Sequence, residues 1–489
     1  GRGSRGRPRS RGDRSGRGDQ WLGAQRSDPA VEGLADRPEL VGEILGTRGG
    51  RGTRAVSSYD EDTNTMGVEA ARRAVASSGV QPGAVWFATS NPTYVDKTNA
   101  TTIHAALQLE RTAPALDFGG AVRSGLGALS MALESTRSSV MVVSSDVRGG
   151  LPTSGDELAA GDAASALMVG DHTDDQPVLA EVVGSASTSE EFFDAWRLPG
   201  EIRTKHWEER FGETRYQPLA NEAFAAALAD AGVEQGDLAH VAVVGLHTRA
   251  IARTIKGWKL GVGVEVDNLA STVGNTGTAH AGLLLTATLE RAEPGALIAL
   301  VGLSDGVDVL ILRATDAIAE YEPVSSVADQ VAAGNDSLTY ATYLAWRGQI
   351  TKEPPRRPGP ARMSAPAASR TSDWKYAFVG SRDRESGAVH MPPARVSFDG
   401  GAFDDMETAP MADAQGTIVT FTVDRIAYSP SPPVVFGVID FDGGGRLPME
   451  LTDVDAEAIA IGDRVEMTFR VLNTADWLTN YFWKARPLP

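Results

Sequence analysis

The chain contains no cysteine. That absence excludes disulfides, thiolate zinc centres and cysteine nucleophiles together. Histidine is scarce, with seven in 489 residues (His104, His172, His206, His240, His247, His280, His390). No two have the spacing of a zinc-binding pair, so no metal centre is expected. No apolar run reaches the roughly 18–20 residues that a membrane span needs. The N-terminal charges are not followed by the apolar core of a secretory signal, so the default expectation is a cytoplasmic protein with no membrane partner. Positive charge is also short: 46 Lys and Arg stand against 64 Asp and Glu, a net charge of −18. An acidic body lacks the basic footprint of a nucleic-acid binder, and none is expected as a partner.

The positive charge that exists is concentrated at the start. Residues 1–27 hold eight arginines among glycine and serine, with only Asp13 and Asp19 against them. Such a composition suits RNA, or else a disordered tail or an upstream stretch foreign to the fold. The expectation adopted is a disordered Arg/Gly-rich tail over residues 1–30.

Length alone argues for about two to four domains. Residues 65–80, TMGVEAARRAVASSGV, have the period of an amphipathic helix, and 84–90, AVWFATS, read as a buried strand. A helix near 101–109, a strand into Asp117, a helix after Val122 and strands at 138–146, 164–171 and 178–187 follow. The order then repeats: a helix at 220–233, a strand at 240–247, the turn STVGNTGTAH, a helix at 281–292 and a strand pair at 295–303 and 306–314. Strands separated by crossover helices indicate a covered, largely parallel sheet, and the repetition indicates a duplicated α/β body with its site between the halves. After a Pro-rich stretch at 353–370 the pattern changes to short β runs at 416–427, 434–442, 446–453 and 463–472, the signature of a small closed barrel.

One junction raises the functional question. In DFGGAVRSGLGALS (117–130) an apolar strand ends at Asp117, small residues turn the chain, and a helix opens after Val122. A helix N-terminus favours developing negative charge, so such a turn suits a nucleophile. Valine has no nucleophilic chemistry.

These segments together resemble the thiolase superfamily, specifically 3-hydroxy-3-methylglutaryl-CoA synthase and ketoacyl synthase III. The residues that carry the resemblance are YDEDTNTMGVEAARRA (59–74), VRSGLGAL (122–129), SSDVR with GDAASALMVGD downstream, and GNTGTAHAGLLL (274–285). The C-terminal part resembles the OB-fold domain that accompanies many thiolase-like enzymes, through YLAWRG (343–348), DWKYAFVGSRDRESG, PPARVS, GTIVTFTV and IGDRVEMTFR. The implied fold class is α/β: a duplicated thiolase-like αβαβα body followed by a small all-β OB-fold barrel. The corresponding divisions are a tail to 30, a first half at 31–190, a second half at 191–320, a helix and linker at 321–375, a degenerate zinc-ribbon-like lobe at 376–402 and the barrel at 403–489.

The resemblance also assigns sites. The family's catalytic cysteine falls on Val122, and the synthase's general acid, a glutamate, falls on Ser90. His247 matches the catalytic histidine and Asn275 the ketoacyl synthase asparagine. From the residues alone, His247 is either a base at a strand end or a structural histidine, and Asn275 either a catalytic amide or a turn residue. His280 reads as a supporting residue, Asp117 as a cap or solvated strand end that could instead orient a catalytic group, Asp146 and Asp162 as loop-fixing, Arg123 as a candidate anion contact, and Tyr94 and Ser90 as candidate proton-transfer hydroxyls. A coenzyme A thioester is the expected substrate, with no separate cofactor. Its phosphates would need cations, and Lys205, Arg210, Arg249, Arg253, Lys256 and Lys259 are the candidates. The paired cysteines of the family's zinc ribbon fall near Asp383, Ser386, Ser397 and Gly400, which supply no thiolate.

Two functions fit. One is an acyl-CoA-dependent enzyme that forms or breaks a carbon–carbon bond by an aldol or retro-aldol step, which needs no acyl-enzyme. The other is an inactive acyl-CoA-binding or oligomer-stabilising protein. A homodimer, or a mixed oligomer with a thiolase-like paralogue, is the expected assembly.

Overall fold

A computed structural model describes residues 17–25, 30–32, 52–135, 137, 139–171, 177–351, 353, 356, 358–399 and 403–488. The first half contains β1 (Arg17–Gln25), the short pair β2 (Ala30–Glu32) and β3 (Thr53–Ala55), α1 (Thr63–Ser78), β4 (Val85–Thr89), α2 (Ala100–Ala106), β5 (Ala115–Gly119), α3 (Arg123–Leu133), β6 (Ser139–Asp146), α4 (Gly155–Ala159) and β7 (Ala163–Asp171). The second contains β8 (Ala180–Ser189), the small pair β9 (Ala195–Trp196) and β10 (Lys205–His206), α5 (Glu209–Ala231), β11 (Leu238–Gly245), α6 (Thr248–Trp258), α7 (His280–Leu289), β12 (Leu297–Leu303) and β13 (Gly306–Ala314).

The duplication is visible in the strand order. One nine-stranded sheet runs β11-β12-β13-β8-β1-β7-β6-β4-β5. From its outer edge inward, the first half reads parallel strands β5, β4 and β6, then antiparallel β7 and β1. The second reads a parallel bridge at Glu265, then β11 and β12 in parallel, then antiparallel β13 and β8. The halves join where β1 pairs β8, Gly18 opposite Glu181. Composition places residues 17–25 in a disordered tail, and the structure corrects this. The edges of β7 and β8 each offer backbone hydrogen bonds, and β1 satisfies both. Residues 1–16 and 33–51 lie outside the described residues.

Three apolar clusters define the layers. α1 and α2 cover one face of the first half's strands through Met66, Val68, Ala71 and Ile103 against Phe87, Met141 and Met168. α3 and α7 fill the middle, with Leu126 and Leu129 among Leu284, Leu285, Val142 and Leu300. α5 and α6 cover the second half through Tyr216, Ala223, Phe224 and Trp258. α5 buries one face because apolar residues recur at its period, at Gly212, Tyr216, Leu219, Ala220, Ala223 and Ala227, whereas α7 is buried all round.

Beyond β13 come α8 (Val327–Ala332), α9 (Tyr340–Trp346), α10 (Ala365–Arg370) and α11 (Ser372–Tyr376), then β14 (Val379–Asp383), β15 (Val389–His390) and β16 (Met406–Pro410) as a three-stranded sheet. The expected degenerate ribbon lobe falls here. Hydrogen bonds from Ser397, Ser386 and the Glu385 amide converge on buried Asp383 and hold its carboxyl down at about 2. His390 meets Ser397 at 3.3 Å. Polar side chains thus pin this turn; Gly400 lies outside the described residues. Among the described residues no group of three or more His, Asp or Glu side chains is arranged to hold a metal.

The barrel closes in the order β17-β18-β19-β21-β20, from β17 (Gly416–Asp424), β18 (Val434–Phe441), β19 (Arg446–Leu451), β20 (Arg464–Ala475) and β21 (Leu478–Pro487). Its interior residues Ile439, Phe469 and Trp483 share one apolar cluster with α1, so barrel and body are packed together.

Candidate functional site

Parallel register places the carboxyl ends of β4, β5 and β6 side by side, Val85 opposite both Ala115 and Met141. Ser90 follows β4, the turn to Val122 follows β5, and Asp146–Arg148 end β6. From the second half come Leu246, after β11, and the turn Ser304–Asp305, after β12. These ends enclose a cleft of about 860 Å³. Crevices at strand carboxyl ends are the usual ligand sites of open α/β sheets.

Val122 lines the cleft at the start of α3. Ser90 lines it too, held by a buried hub. Asp146 accepts hydrogen bonds from Thr89 Oγ1 (3.0 Å), Ser90 N (2.7 Å), Ser90 Oγ (2.8 Å) and Thr278 N (2.8 Å). The last bond ties the first half to the turn before α7. Gly277 in that turn has φ 61°, and a side chain there would collide with the Asp146 carboxylate. Asp162 is a second hub, accepting from Ser57 N (2.8 Å), Arg148 N (2.7 Å) and the Arg347 guanidinium. Asp117 receives Asn99 N and Ala100 N at 2.7 Å, which orders the chain entering α2. The Tyr94 hydroxyl accepts the Thr479 amide of the barrel at 2.7 Å, so the barrel braces one wall of the cleft.

His247 is placed differently from the sequence expectation of a base. It is the N-cap of α6: Nδ1 accepts the Ala250 amide at 3.0 Å, leaving Nε2 to donate to the Glu209 carbonyl at 2.9 Å. Both ring nitrogens are committed, and no lone pair is left to take a proton. The side chain is 7% exposed, and Leu246, not His247, lines the cleft. Asn275 likewise spends both ends of its amide on backbone, Nδ2 donating to Gly245 O at 2.7 Å and Oδ1 accepting Gly277 N at 3.0 Å. It braces the end of β11 and does not line the cleft. His280 is buried, and burial lowers its pKa to about 4, so it is neutral at ordinary pH.

Arg123, the candidate anion contact, directs its donors to Asp308, Ser187, Ser189, Thr188 O and Asp305 O. It staples α3 to the β8–β13 pair and has no donor left for a ligand. The six basic candidates do not converge on the cleft. Arg249 pairs with Glu209 at 2.6 Å and Arg253 with Glu213 at 3.2 Å, which holds α6 against α5. Lys205, Arg210, Lys256 and Lys259 are exposed and are not among the residues that line it.

Sequence reasoning missed four residues that the cleft does collect: Arg148, Asp194, Arg197 and Tyr216. The Tyr216 hydroxyl accepts Asp305 N at 3.3 Å and donates to Asp194. Burial raises the phenol pKa, with the Asp194 charge adding to it. Burial also raises the Asp305 carboxyl, with Asp194 and Glu191 nearby. The inward period of α5 was a signal for Tyr216. Arg148, Asp194 and Arg197 sit in loops or at strand ends, where no period marks them.

The C-terminal segment 409–470 matches the family of the ChsH2 C-terminal OB-fold domain. The body is thiolase-like. Over 309 residues it is 29% identical to a hydroxymethylglutaryl-CoA synthase of Aeropyrum pernix, spanning 61% of this chain and 84% of that one. A hydroxymethylglutaryl-CoA synthase of Thermococcus sibiricus is 27% identical, spanning 64% and 91%. Among solved structures, MvaS in complex with 3-hydroxy-3-methylglutaryl coenzyme A superposes with a TM-score of 0.54 at 19% identity, covering 71% of this chain and 94% of that one. The 3-oxoacyl-(acyl carrier protein) synthase III of Pseudomonas aeruginosa does so with 0.51 at 19%, covering 61% and 98%. These likenesses fix the fold of the thiolase-like body and of the OB domain that follows it. No helix among the described residues is long and apolar enough to cross a membrane.

Proposed function

We propose that the thiolase-like body binds an acyl-CoA in the cleft and forms or breaks a carbon–carbon bond without a covalent acyl-enzyme. The observation that carries this reading is the cleft at the ends of β4, β5 and β6, with Val122 on its lining, the residue onto which the resemblance puts the family's thioester-forming cysteine. The resemblance to synthases, and the solved complex of MvaS with 3-hydroxy-3-methylglutaryl coenzyme A, support a coenzyme A thioester as ligand.

A retro-aldol step fits a site without a nucleophile. A base takes the proton of a 3-hydroxyl group, the bond between C2 and C3 breaks, a carbonyl fragment leaves, and the thioester enolate collects a proton at C2. Such a step needs proton transfer and a pocket for the enolate oxygen. Tyr216 and Asp194 both line the cleft and share a hydrogen bond, which makes the pair the candidate proton relay. Incubation with a panel of acyl-CoA and 3-hydroxyacyl-CoA thioesters, followed by mass spectrometry, tests the activity. Tyr216→Phe should lower turnover by about 10²–10⁴-fold. Undiminished turnover in that variant would remove Tyr216 from the mechanism.

A second reading, an inactive acyl-CoA-binding partner, is favoured by the same commitment of His247 and Asn275. It expects thioester binding with no turnover. For assembly, β5 is the outer strand of the sheet and Leu116 on it is 48% exposed, which suits pairing with a second copy or a paralogue. Equilibrium sedimentation tests that expectation.

A further inference from the structure

A retro-aldol step moves two protons: one leaves the 3-hydroxyl group, and one arrives at C2 of the thioester. The Tyr216–Asp194 pair serves the first. Four carboxylates line the cleft, those of Asp117, Asp194, Glu201 and Asp305. Asp117 accepts the Asn99 and Ala100 amides, and Asp194 accepts the Tyr216 hydroxyl. Among the described residues, no hydrogen bond or ion pair closer than 4 Å engages the carboxylate of Glu201 or of Asp305.

These two free carboxylates are held differently. Glu201 ends an exposed loop turn, closed by its own amide on Leu198 O. Asp305 lies in the turn between β12 and β13 with both of its main-chain groups fixed. Its amide donates to the Tyr216 hydroxyl at 3.3 Å, and its carbonyl accepts Arg123 Nη1 at 3.0 Å. Arg123 follows Val122 directly, so this contact brings the Asp305 turn to the start of α3, beside the position that lacks a nucleophile.

The backbone at Asp305 is left-handed, with φ 48°. Aspartate is tolerated in that conformation because its carboxylate can bond nearby backbone groups. Asp305 makes no such bond, so its side chain does nothing to hold the turn that strains it. The charged and titratable groups around it are Asp194 and Glu191 from the chain after β8, Arg123 from α3 and Tyr216 from α5. Partial burial raises the Asp305 pKa, and the charges of Asp194 and Glu191 raise it further, against the opposing pull of Arg123.

We propose that Asp305 exchanges a proton with C2 of the thioester, giving it to the enolate on cleavage and taking it before condensation. The proposal rests on the acyl-CoA reading above. In cleavage the electron pair of the C2–C3 bond stays on the enolate. The O–H bond of the Asp305 acid breaks as the C2–H bond forms, and water returns a proton to the carboxylate. The hydroxyl proton leaves through Tyr216 and Asp194 to water, so the step is neutral overall.

The test is hydrogen–deuterium exchange at C2 of propionyl-CoA in D2O, followed by mass spectrometry, with calorimetry for binding. The parent should exchange. Asp305→Asn keeps the shape and suits φ 48°; it should slow exchange by about 10²–10⁴-fold and leave propionyl-CoA affinity near that of the parent. Exchange by the parent should rise with pH as Asp305 ionises, above the ordinary carboxylate range, and the variant should lack that rise. Should Asp305→Asn fail to fold, Asp305→Gly relieves the left-handed turn and takes its place, with the same slowing expected. Undiminished exchange in the variant, or a loss found in Glu201→Gln instead, overturns the proposal. Binding of propionyl-CoA without exchange by the parent also overturns it, while keeping the acyl-CoA reading. If propionyl-CoA does not bind, the acyl-CoA reading fails and the role of Asp305 falls with it.

Discussion

Arg470 of the barrel meets Asp60 of the body at 3.1 Å, and neither side chain is more than 2% exposed. The same guanidinium reaches Glu61 at 3.2 Å and also Asp453. Lys484 joins from β21, at 2.9 Å from Asp60 and 2.7 Å from Glu450. Removing one partner of a buried pair strands the others, which typically costs ~3–5 kcal/mol. Arg470→Met should therefore lower stability by that amount in urea unfolding. Because the network crosses between barrel and body, the parent should unfold in a single transition. Two separated transitions, with only one moved by the substitution, would mean that the barrel is an independent unit.

A second expectation concerns the cap of α6. His247→Ala removes the acceptor for the Ala250 amide and should cost about 1 kcal/mol, the usual loss of an N-cap. His247→Asn keeps a capping acceptor and should restore most of that stability. If turnover is found, His247→Asn should retain much of it. A loss of turnover in His247→Asn with intact stability would restore the histidine to the chemistry.

The third follows from His280. Its pKa falls from the ordinary 6.5 to about 4 in the folded protein because burial disfavours the charged ring. The unfolded chain therefore binds the extra proton first as pH falls. The contribution of His280 to stability is complete above about 6.5 and is lost progressively down to about 4. Chemical denaturation of the parent and of His280→Gln across this window should show a steeper fall for the parent. Parallel slopes would show that the ring is not buried neutral.

The fourth places a thiol at the turn. Val122→Cys would stand in the cleft at the start of α3, where the helix N-terminus favours a thiolate. Iodoacetamide should label it faster than a cysteine at exposed Ala252 on α6. Slower labelling than at position 252 would deny any special reactivity to this turn.

The duplicated halves and the barrel were legible because burial imposes a period. The 3.6-residue spacing of α1 and α5 and the apolar strands β4, β6 and β12 reflect contacts that any such sheet must make. Charged side chains left no such mark. Arg123, Arg148 and Arg197 look alike in a sequence, yet one is saturated by Asp308 and its neighbours while two face the cleft. His247 follows a strand at the start of α6, where a base would stand, and only the Glu209 carbonyl, 38 residues away, reveals that its second nitrogen is taken. β1 was illegible for a different reason. Its place depends on two edges, β7 and β8, supplied by distant parts of the chain.

Helix α1 lies between two partners, with Met66, Gly67 and Ala70 on the side of the sheet and Glu69 and Arg72 bonded to Phe469 N and Met467 O of β20. A gene cut at the linker would separate surfaces that each expect the other. The body would show water a buried carboxylate cluster and apolar rows of α1, and the barrel would show it Arg470 and the rings beside Trp374. Expressed singly, both fragments should be poorly soluble. Expressed together as two polypeptides, they should recover one another, because the recognition surface is the core itself.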